Sequence, residues 1–542
     1  TSPKWMISAL LTTAIVALPV LSVIFLAFFP EENIWPHLIE TTLPRYLTTT
    51  LKLMIGVGAL TLVIGLASAW AVTMCEFPGR KFFEWAMLLP FAVPAYVIAY
   101  VYTSLLDYAG PVQGALRDLF GWSSAADYWF PEIRSLEGAT LMIGLVLYPY
   151  VYLLARAAFL EQSPSLFAVS RSLGHSALST FFRVVLPIAR PAVAVGLSLV
   201  LMETLNDFGT VDFFAVQTLT AGLFDTWMNL GNLGGAAQIA TTMLIFVVIL
   251  VTLERYSRRR QQQFAARDNR EPIQRFTMSF PRQMICVAVC ALPVLFGFVI
   301  PGATLGLYAW EYFGESWNPD FVRNTFNSLF LSGTAALTTL LIGVTLAYSR
   351  RLHNTRKMQV LMRLSSLGYA MPGAVLAVGV IVPLAGFDNW LDSLMRDVFG
   401  ISTGLLLSGS AFALVFAYTV RFLAVSAGSV ESALQKITPS MDMASRSLGH
   451  TPGNTLVRVH LPMLRGTLVT AALVVFVDCM KELPATLILR PFNFETLATY
   501  VYQFASDERL YHSALPALII VLAGIIPIIL MCRSSSNSRS IA

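Results

Sequence analysis

Long runs of apolar positions, interrupted by short polar clusters, recur from one end of the chain to the other. A helix needs about 20 such residues to cross the hydrocarbon core of a bilayer. On that criterion the pattern predicts about twelve spans. The first half gives 7–29, 48–74, 83–106, 138–160, 190–213 and 237–255. The second half gives 284–307, 325–349, 359–386, 405–427, 466–489 and 513–532. The expected fold is an all-α polytopic membrane protein. Its two halves, 1–256 and 284–542, are joined by 257–283, a stretch without apolar periodicity that reads as a solvated basic connector.

Composition excludes the alternative of a soluble fold. Of 542 residues, 56% are hydrophobic and 12% are charged, where a soluble domain carries roughly 25% charged residues. The segment Ile7 to Phe29 is longer than the apolar core of a signal peptide and lacks a small-residue cleavage site, so it reads as a retained first span. The cysteines (Cys75, Cys286, Cys290, Cys479 and Cys532) form no CxxC pair and imply neither a disulfide framework nor a zinc site. Cys286 and Cys290 share a helix face, which packing explains.

Charge orients the spans. Arg80-Lys81, the connector arginines, Arg350-Arg351, Arg356-Lys357 and Arg533 alternate with span count and fall on one side. Basic residues at span ends favour the cytoplasm. The opposite loops, Glu31-Glu32, Asp107 to Glu137, Glu311 to Asp320 and Asp388 to Asp397, are acidic or mixed. Both termini are therefore expected in the cytoplasm, which an even span count satisfies.

The halves repeat one another. Ser172-Leu173-Gly174-His175 returns as Ser447-Leu448-Gly449-His450, and Val185-Leu186-Pro187 as His460-Leu461-Pro462, both 275 positions on. Leu62-Val63-Ile64-Gly65 matches Leu340-Leu341-Ile342-Gly343, and Phe91-Ala92-Val93-Pro94 matches Tyr369-Ala370-Met371-Pro372, both 278 positions on. Six spans per half keep the same orientation. Such parallel repeats predict a pseudo-twofold axis along the membrane normal, with a pathway between the halves.

One loop inside the repeat carries a recognisable plan. Between the fourth and fifth spans, Ser163 is placed to cap a short helix, Pro164 suits its first turn, and Gly174 is placed to end it. A second short helix follows, and Pro187 is expected to open the next span. The second half repeats this with Thr438, Pro439, Gly449 and Pro462. Two short helices hinged on a glycine make a rigid knob suited to a groove in a soluble partner. These segments resemble the coupling loop of ATP-binding-cassette (ABC) importer permeases: Glu-Ala-Ala, three residues, Gly, nine residues, Ile-x-Leu-Pro. The resemblance carries Ser170, Arg171, Ser172, Leu173, Gly174, His175, Leu186 and Pro187 into an ATPase-coupling role. Ser445, Arg446, Ser447, Leu448, Gly449, His450, Leu461 and Pro462 repeat it. The family glutamate is Ala168 in one copy and Met443 in the other, with Asp442 one residue early in the second only. The chain has no GxxxxGK[ST] loop. The resemblance thus implies a transport subunit that is not itself an enzyme and binds no cofactor. Two separate ATPase subunits on the cytoplasmic side would use ATP and Mg. Lipid surrounds the spans, and nucleic acid has no place in this reading.

Ionisable residues within spans are functional candidates. Glu203 matches Asp478, and Asp207 matches Glu482; each pair is four residues apart and is expected on one face of a fifth span. Four carboxylates suit a hard cation with a preference for oxygen ligands. A structural ion pair with Lys481 is the competing account of part of the cluster. The stretch Asp478-Cys479-Met480-Lys481-Glu482-Leu483-Pro484-Ala485-Thr486-Leu487-Ile488-Leu489-Arg490-Pro491, with Asn206-Asp207-Phe208-Gly209-Thr210, resembles the ferric-iron permease family. That resemblance implies a bacterial inner-membrane protein that receives Fe(III) from a periplasmic ferric-binding protein and moves it by alternating access. The loops Asp107 to Glu137 and Asp388 to Asp397 are then candidate docking surfaces, and the residues that touch metal stay open. Related permeases for thiamine, polyamines or phosphonates share parts of these motifs. In an ion-coupled secondary transporter, the remaining alternative, the acids would instead be ion sites.

Overall fold

The computed structural model describes residues 3–30, 33–162, 169–170, 172–174, 176–261, 275–353 and 355–540. The described residues hold eleven helices long and apolar enough to cross a membrane, or twelve if one sharply bent pair counts as a span. The main helices of the first half are α1 (Pro3–Phe28), α2 (Leu43–Met74), α3 (Ala95–Leu106), α4 (Leu136–Leu160), α5 (Leu186–Asn206) and α6 (Leu233–Gln261). Those of the second are α7 (Phe280–Glu311), α8 (Pro319–Leu352), α9 (Gly373–Phe399), α10 (Ala411–Gln435), α11 (Leu461–Met480) and α12 (Ala514–Ser540).

The third span of each half is broken, where one continuous helix was expected. In the first half Arg80–Ala92 meets Ala95–Phe120 at 89°. A 3-10 turn, Leu89–Ala92, leads to Val93 in extended conformation, and α3 begins after Pro94. The second half repeats this with Leu367–Ala370, Met371 and Pro372 before α9. Proline disfavours the helical region for its predecessor, and Val93 and Met371 are extended. The matched Phe91-to-Pro94 and Tyr369-to-Pro372 motifs are thus a pair of equivalent breaks.

The fifth spans also end early. Helix α5 stops at Asn206 and α11 at Met480, and separate short helices, Gly209–Phe213 and Pro484–Leu489, follow. The expected spans 190–213 and 466–489 are each therefore two helices. Pro187 and Pro462 do not open these spans. The helical path already runs from Leu178 and from Pro452. One π-turn, Phe181–Val185 or Leu456–His460, lies just before each proline. Proline lacks an N–H and crowds the carbonyl four residues back, and the wider turn absorbs that defect.

The halves interleave. One hydrophobic core combines Val57 and Tyr148 with Cys290, Val501 and Ile520; the other combines Val16 and Ala237 with Ala335, Val375 and Leu423. Helix α1 packs on α9, and α7 packs on α2, so each half lends its first span to the other. The end of the connector docks too: Phe276 N donates to Met74 O (2.7 Å), and Glu76 N donates to Phe276 O (3.1 Å). Residues 262–274 of the connector, and Glu31 and Glu32, lie outside the described residues.

Glycine sets a matched close crossing in each half. A Cβ on Gly65 in α2 would stand 2.8 Å from Val151 Cβ and 3.0 Å from Tyr152 N in α4. At the matched Gly343 in α8 it would stand 2.5 Å from Ser426 Oγ and 3.0 Å from Ala427 N in α10. Backbone at that distance cannot move aside cheaply. Gly65→Ala and Gly343→Ala are each expected to cost about 1–3 kcal/mol, seen as a lower unfolding temperature of the detergent-solubilised protein. Unchanged unfolding temperatures would show that the crossings are looser than this geometry requires.

Candidate functional site

The pseudo-equivalent breaks converge on one cavity of about 130 Å³ between the halves. All four expected acids, Glu203, Asp207, Asp478 and Glu482, line it, together with the Pro94 and Pro484 turns and the rings of Phe91, Tyr150 and Tyr369. The acids do not share a helix face in the manner expected, because the helix ends between them. Glu203 and Asp478 stay on α5 and α11. Asp207 instead accepts from Thr210 N (3.1 Å) and Val211 N (3.2 Å). Glu482 does the same for Ala485 N and Thr486 N, both at 3.2 Å. These carboxylates satisfy the free N–H groups at the start of the next short helices.

Two cations share the cavity. Lys481 Nζ lies 3.2 Å from Asp478 Oδ1 and 4.6 Å above the Phe91 ring. Arg421, buried within α10, stands 3.8 Å from Glu482 and donates through Nη1 to Asn206 Oδ1 (3.0 Å). The same oxygen accepts from Gly373 N, the first amide of α9, at 2.6 Å. Asn206 thereby ties the end of α5 to two helices of the second half. Among the described residues, no three His, Cys, Asp or Glu side chains stand close enough together to hold a metal ion.

The coupling-type loops form a second constellation. Helix Pro439–Ser447 ends at Leu448, and Gly449 follows at φ 81°. Gly449 N donates to Arg446 O (2.9 Å) and His450 N to Ser445 O (3.1 Å), which closes the helix end. Thr438 occupies the cap position, but its hydroxyl meets Ser440 (2.9 Å) and makes no cap bond. In the first copy Gly174 has φ 76°; Ser163 to Ala168, Arg171 and His175 lie outside the described residues. Ser170 and Ser445 are buried braces, bonded to Thr180 and Thr455 at 2.8 Å in both copies. Leu173 and Leu448, by contrast, stand 70% and 77% exposed just before each glycine. Ser172, Arg446 and Ser447 are exposed beside them. Leu186, Pro187, Leu461 and Pro462 sit at the π-turns, away from the knob tips. Asp442 turns inward, to Arg351 (2.7 Å) and His460 (2.6 Å).

A sequence profile for binding-protein-dependent transport system inner membrane components matches residues 61–263 and 339–492, once in each half. This chain belongs to that family. The chain is 25% identical to the Fe(3+)-transport system permease protein FbpB 2 of Haemophilus influenzae, over 91% of this chain and 90% of that one. It is 23% identical to the ferric transport system permease protein FbpB of Actinobacillus pleuropneumoniae, over 96% and 77%. The molybdenum transport system permease protein ModB of Escherichia coli is 24% identical over 38% of this chain and 89% of its own.

In this transport component the residue that sequence reasoning missed is Arg421. It is the only charged residue between Ala411 and Val430, which the rule for in-span charges would have flagged. The proposed outer docking stretch Asp388 to Asp397 is corrected: it lies within α9, not in a loop. Asp388 is buried and accepts from Leu407 N (3.0 Å) and Ser408 N (2.7 Å); Asp392 accepts from Thr403 N (2.7 Å). Both acids hold the returning chain in place. The stretch Asp107 to Glu137 carries a helix, Pro111–Phe120, with Trp122 stacked 4.7 Å from both Phe120 and Tyr128.

Proposed function

We propose that this chain is the membrane-spanning subunit of an ABC importer that moves ferric iron, delivered by a periplasmic binding protein, into the cytoplasm. The observation that carries this reading is the interhalf cavity lined by Glu203, Asp207, Asp478 and Glu482. Carboxylate oxygens suit a hard, highly charged ion, and the near full-length relatives named for Fe(3+) transport support the same cargo. Two ATPase subunits dock under the two knobs, with Leu173 and Leu448 seated in their grooves. ATP and Mg are used there, and the chain itself binds no cofactor. The protein lies in the bacterial inner membrane with both termini in the cytoplasm. Closure of the ATPases draws the knobs together and shifts the balance between outward-open and inward-open states.

The test is uptake of radiolabelled ferric iron into proteoliposomes holding this chain and its ATPase. The loaded binding protein is presented outside, and ATP and Mg are supplied on the ATPase side. Accumulation is expected, and the Glu203→Ala, Asp478→Ala double variant should lower it about tenfold, as loss of charged contacts of this kind does. Full uptake by the double variant would remove the acids from the path. Arg421 and Lys481 favour a second reading, the same machinery importing an oxyanion. Uptake of molybdate or sulfate in place of iron would select it.

A further inference from the structure

Pairing with the acids does not use every donor of the cations in this cavity. The acids come in matched pairs, but the bases do not: the positions equivalent to Arg421 and Lys481 in the first half are Val146 and Asn206. Both positive charges therefore come from one half. Arg421 is 5% exposed and lines the cavity. Its hydrogen bonds to Asn206 Oδ1 (3.0 Å) and Met371 O (3.5 Å) both leave from Nη1. Its Nε–H is buried and finds no acceptor among the described residues. The planar donors of a guanidinium fit an oxyanion. A buried, charged donor without an acceptor is costly and marks a place for one.

The acids, meanwhile, are partly engaged. Asp207 and Glu482 accept backbone N–H groups, and Asp478 pairs with Lys481 at 3.2 Å. With no three acids convergent among the described residues, an unaccompanied trivalent ion would lack a full oxygen shell here. Arg421 and Lys481 also offset two of the four carboxylates that line the cavity. An anion on the iron supplies the missing oxygen ligands and an acceptor for the free Nε–H of Arg421. The cavity, at about 130 Å³, exceeds by far the roughly 10–15 Å³ that one water needs.

We propose that the cavity takes the ferric ion together with a small oxygen-donor anion, a carboxylate, carbonate or phosphate, and that Arg421 and Lys481 form the anion's subsite. This deepens the ferric-iron reading and rests on it. No bond is made or broken in passage; a preformed complex moves as one.

A double-label experiment in the same proteoliposomes tests it. The binding protein is loaded with radiolabelled ferric iron in the presence of radiolabelled bicarbonate, phosphate or citrate, one per arm. One anion is expected to accumulate with iron in a fixed ratio. A label that enters only when preloaded identifies an anion delivered with the metal; one that enters from the bath identifies an anion collected at the cavity. Both keep the proposal. Arg421→Gln and Lys481→Gln should lower iron and anion together, by about tenfold for a lost charged hydrogen bond, with ATPase binding retained. Iron entering with no anion in any arm overturns the proposal and leaves the ferric reading standing. Neither label entering while ATP turns over, or anion entering without iron, overturns the ferric reading and the proposal with it. The wild-type ratio decides even where a variant fails to fold.

Discussion

Gly174→Val combined with Gly449→Val is expected to abolish ATP-driven uptake while leaving the chain in the membrane. Both glycines hold left-handed backbone, at φ 76° and 81°, and among the described residues a Cβ at either position meets nothing within 4 Å. The penalty is therefore conformational and not a collision. A left-handed residue with a side chain costs roughly 1–2 kcal/mol, and β-branched residues are the least tolerant of it. Two copies together amount to about 2–4 kcal/mol, a factor of roughly 30–1,000 in the docking equilibrium. Rotation out of the left-handed region is expected to relieve the strain and to swing Leu173 and Leu448 away from the positions proposed for docking. Gly174→Asn with Gly449→Asn should keep most activity, since asparagine tolerates this backbone. Co-purification of the ATPase with each variant, alongside uptake, makes the comparison. Equal ATPase recovery from the valine and wild-type chains would end the coupling-loop reading.

These glycines could be read from sequence because each follows the same Ser-Leu pair at the same place in both repeats. The spans were accessible for a similar reason: an apolar run long enough to cross a bilayer has few other folds open to it. Hydropathy, however, does not distinguish a continuous helix from two helices meeting at a bend. The apolar runs through 190–213 and 466–489 hide the stops at Asn206 and Met480, which depend on where Asp207 and Glu482 find backbone donors. The prolines at 94 and 372 favour their breaks through the constraint on the preceding residue, but the expected spans 83–106 and 359–386 run through both, because the constraint is not absolute: Pro187 and Pro462 follow helical residues. Arg421 has no charged partner in the repeat to mark it, since its counterpart is Val146. Repeat symmetry finds shared architecture, and the departures from it are where the halves differ in chemistry. Asp388 and Asp392 misled for the opposite reason: acids near an expected loop resemble solvated surface until the chain folds back onto them.

The same asymmetry predicts that Arg351→Gln uncouples ATP turnover from uptake through the second knob. Arg351 ends α8 and reaches three parts of the coupling segment. It donates to Asp442 Oδ2 through Nε (2.9 Å), to Ile437 O (2.9 Å) and to Leu434 O. Asp442 Oδ1 in turn accepts from His460 Nε2 at 2.6 Å, and Tyr348 OH donates to Pro452 O at 2.7 Å. The knob is thus clamped to α8 on both sides of Gly449. Counterparts of Arg351 and His460 in the first half are Thr73 and Val185, and there Trp70 packs on Phe159, Phe181 and Phe276 instead. Hydrogen bonds to charged groups contribute about 1.5–3 kcal/mol each, so losing several frees the second knob to move without α8. Iron imported per ATP should fall about tenfold, with ATP turnover and ATPase binding largely kept. Asp442→Asn should act in the same direction, and the double variant should be little worse than Arg351→Gln alone, because both cut one network. Additive losses would mean that the two residues act separately, and a parallel loss of ATPase binding would mean that Arg351 holds the fold without transmitting the stroke.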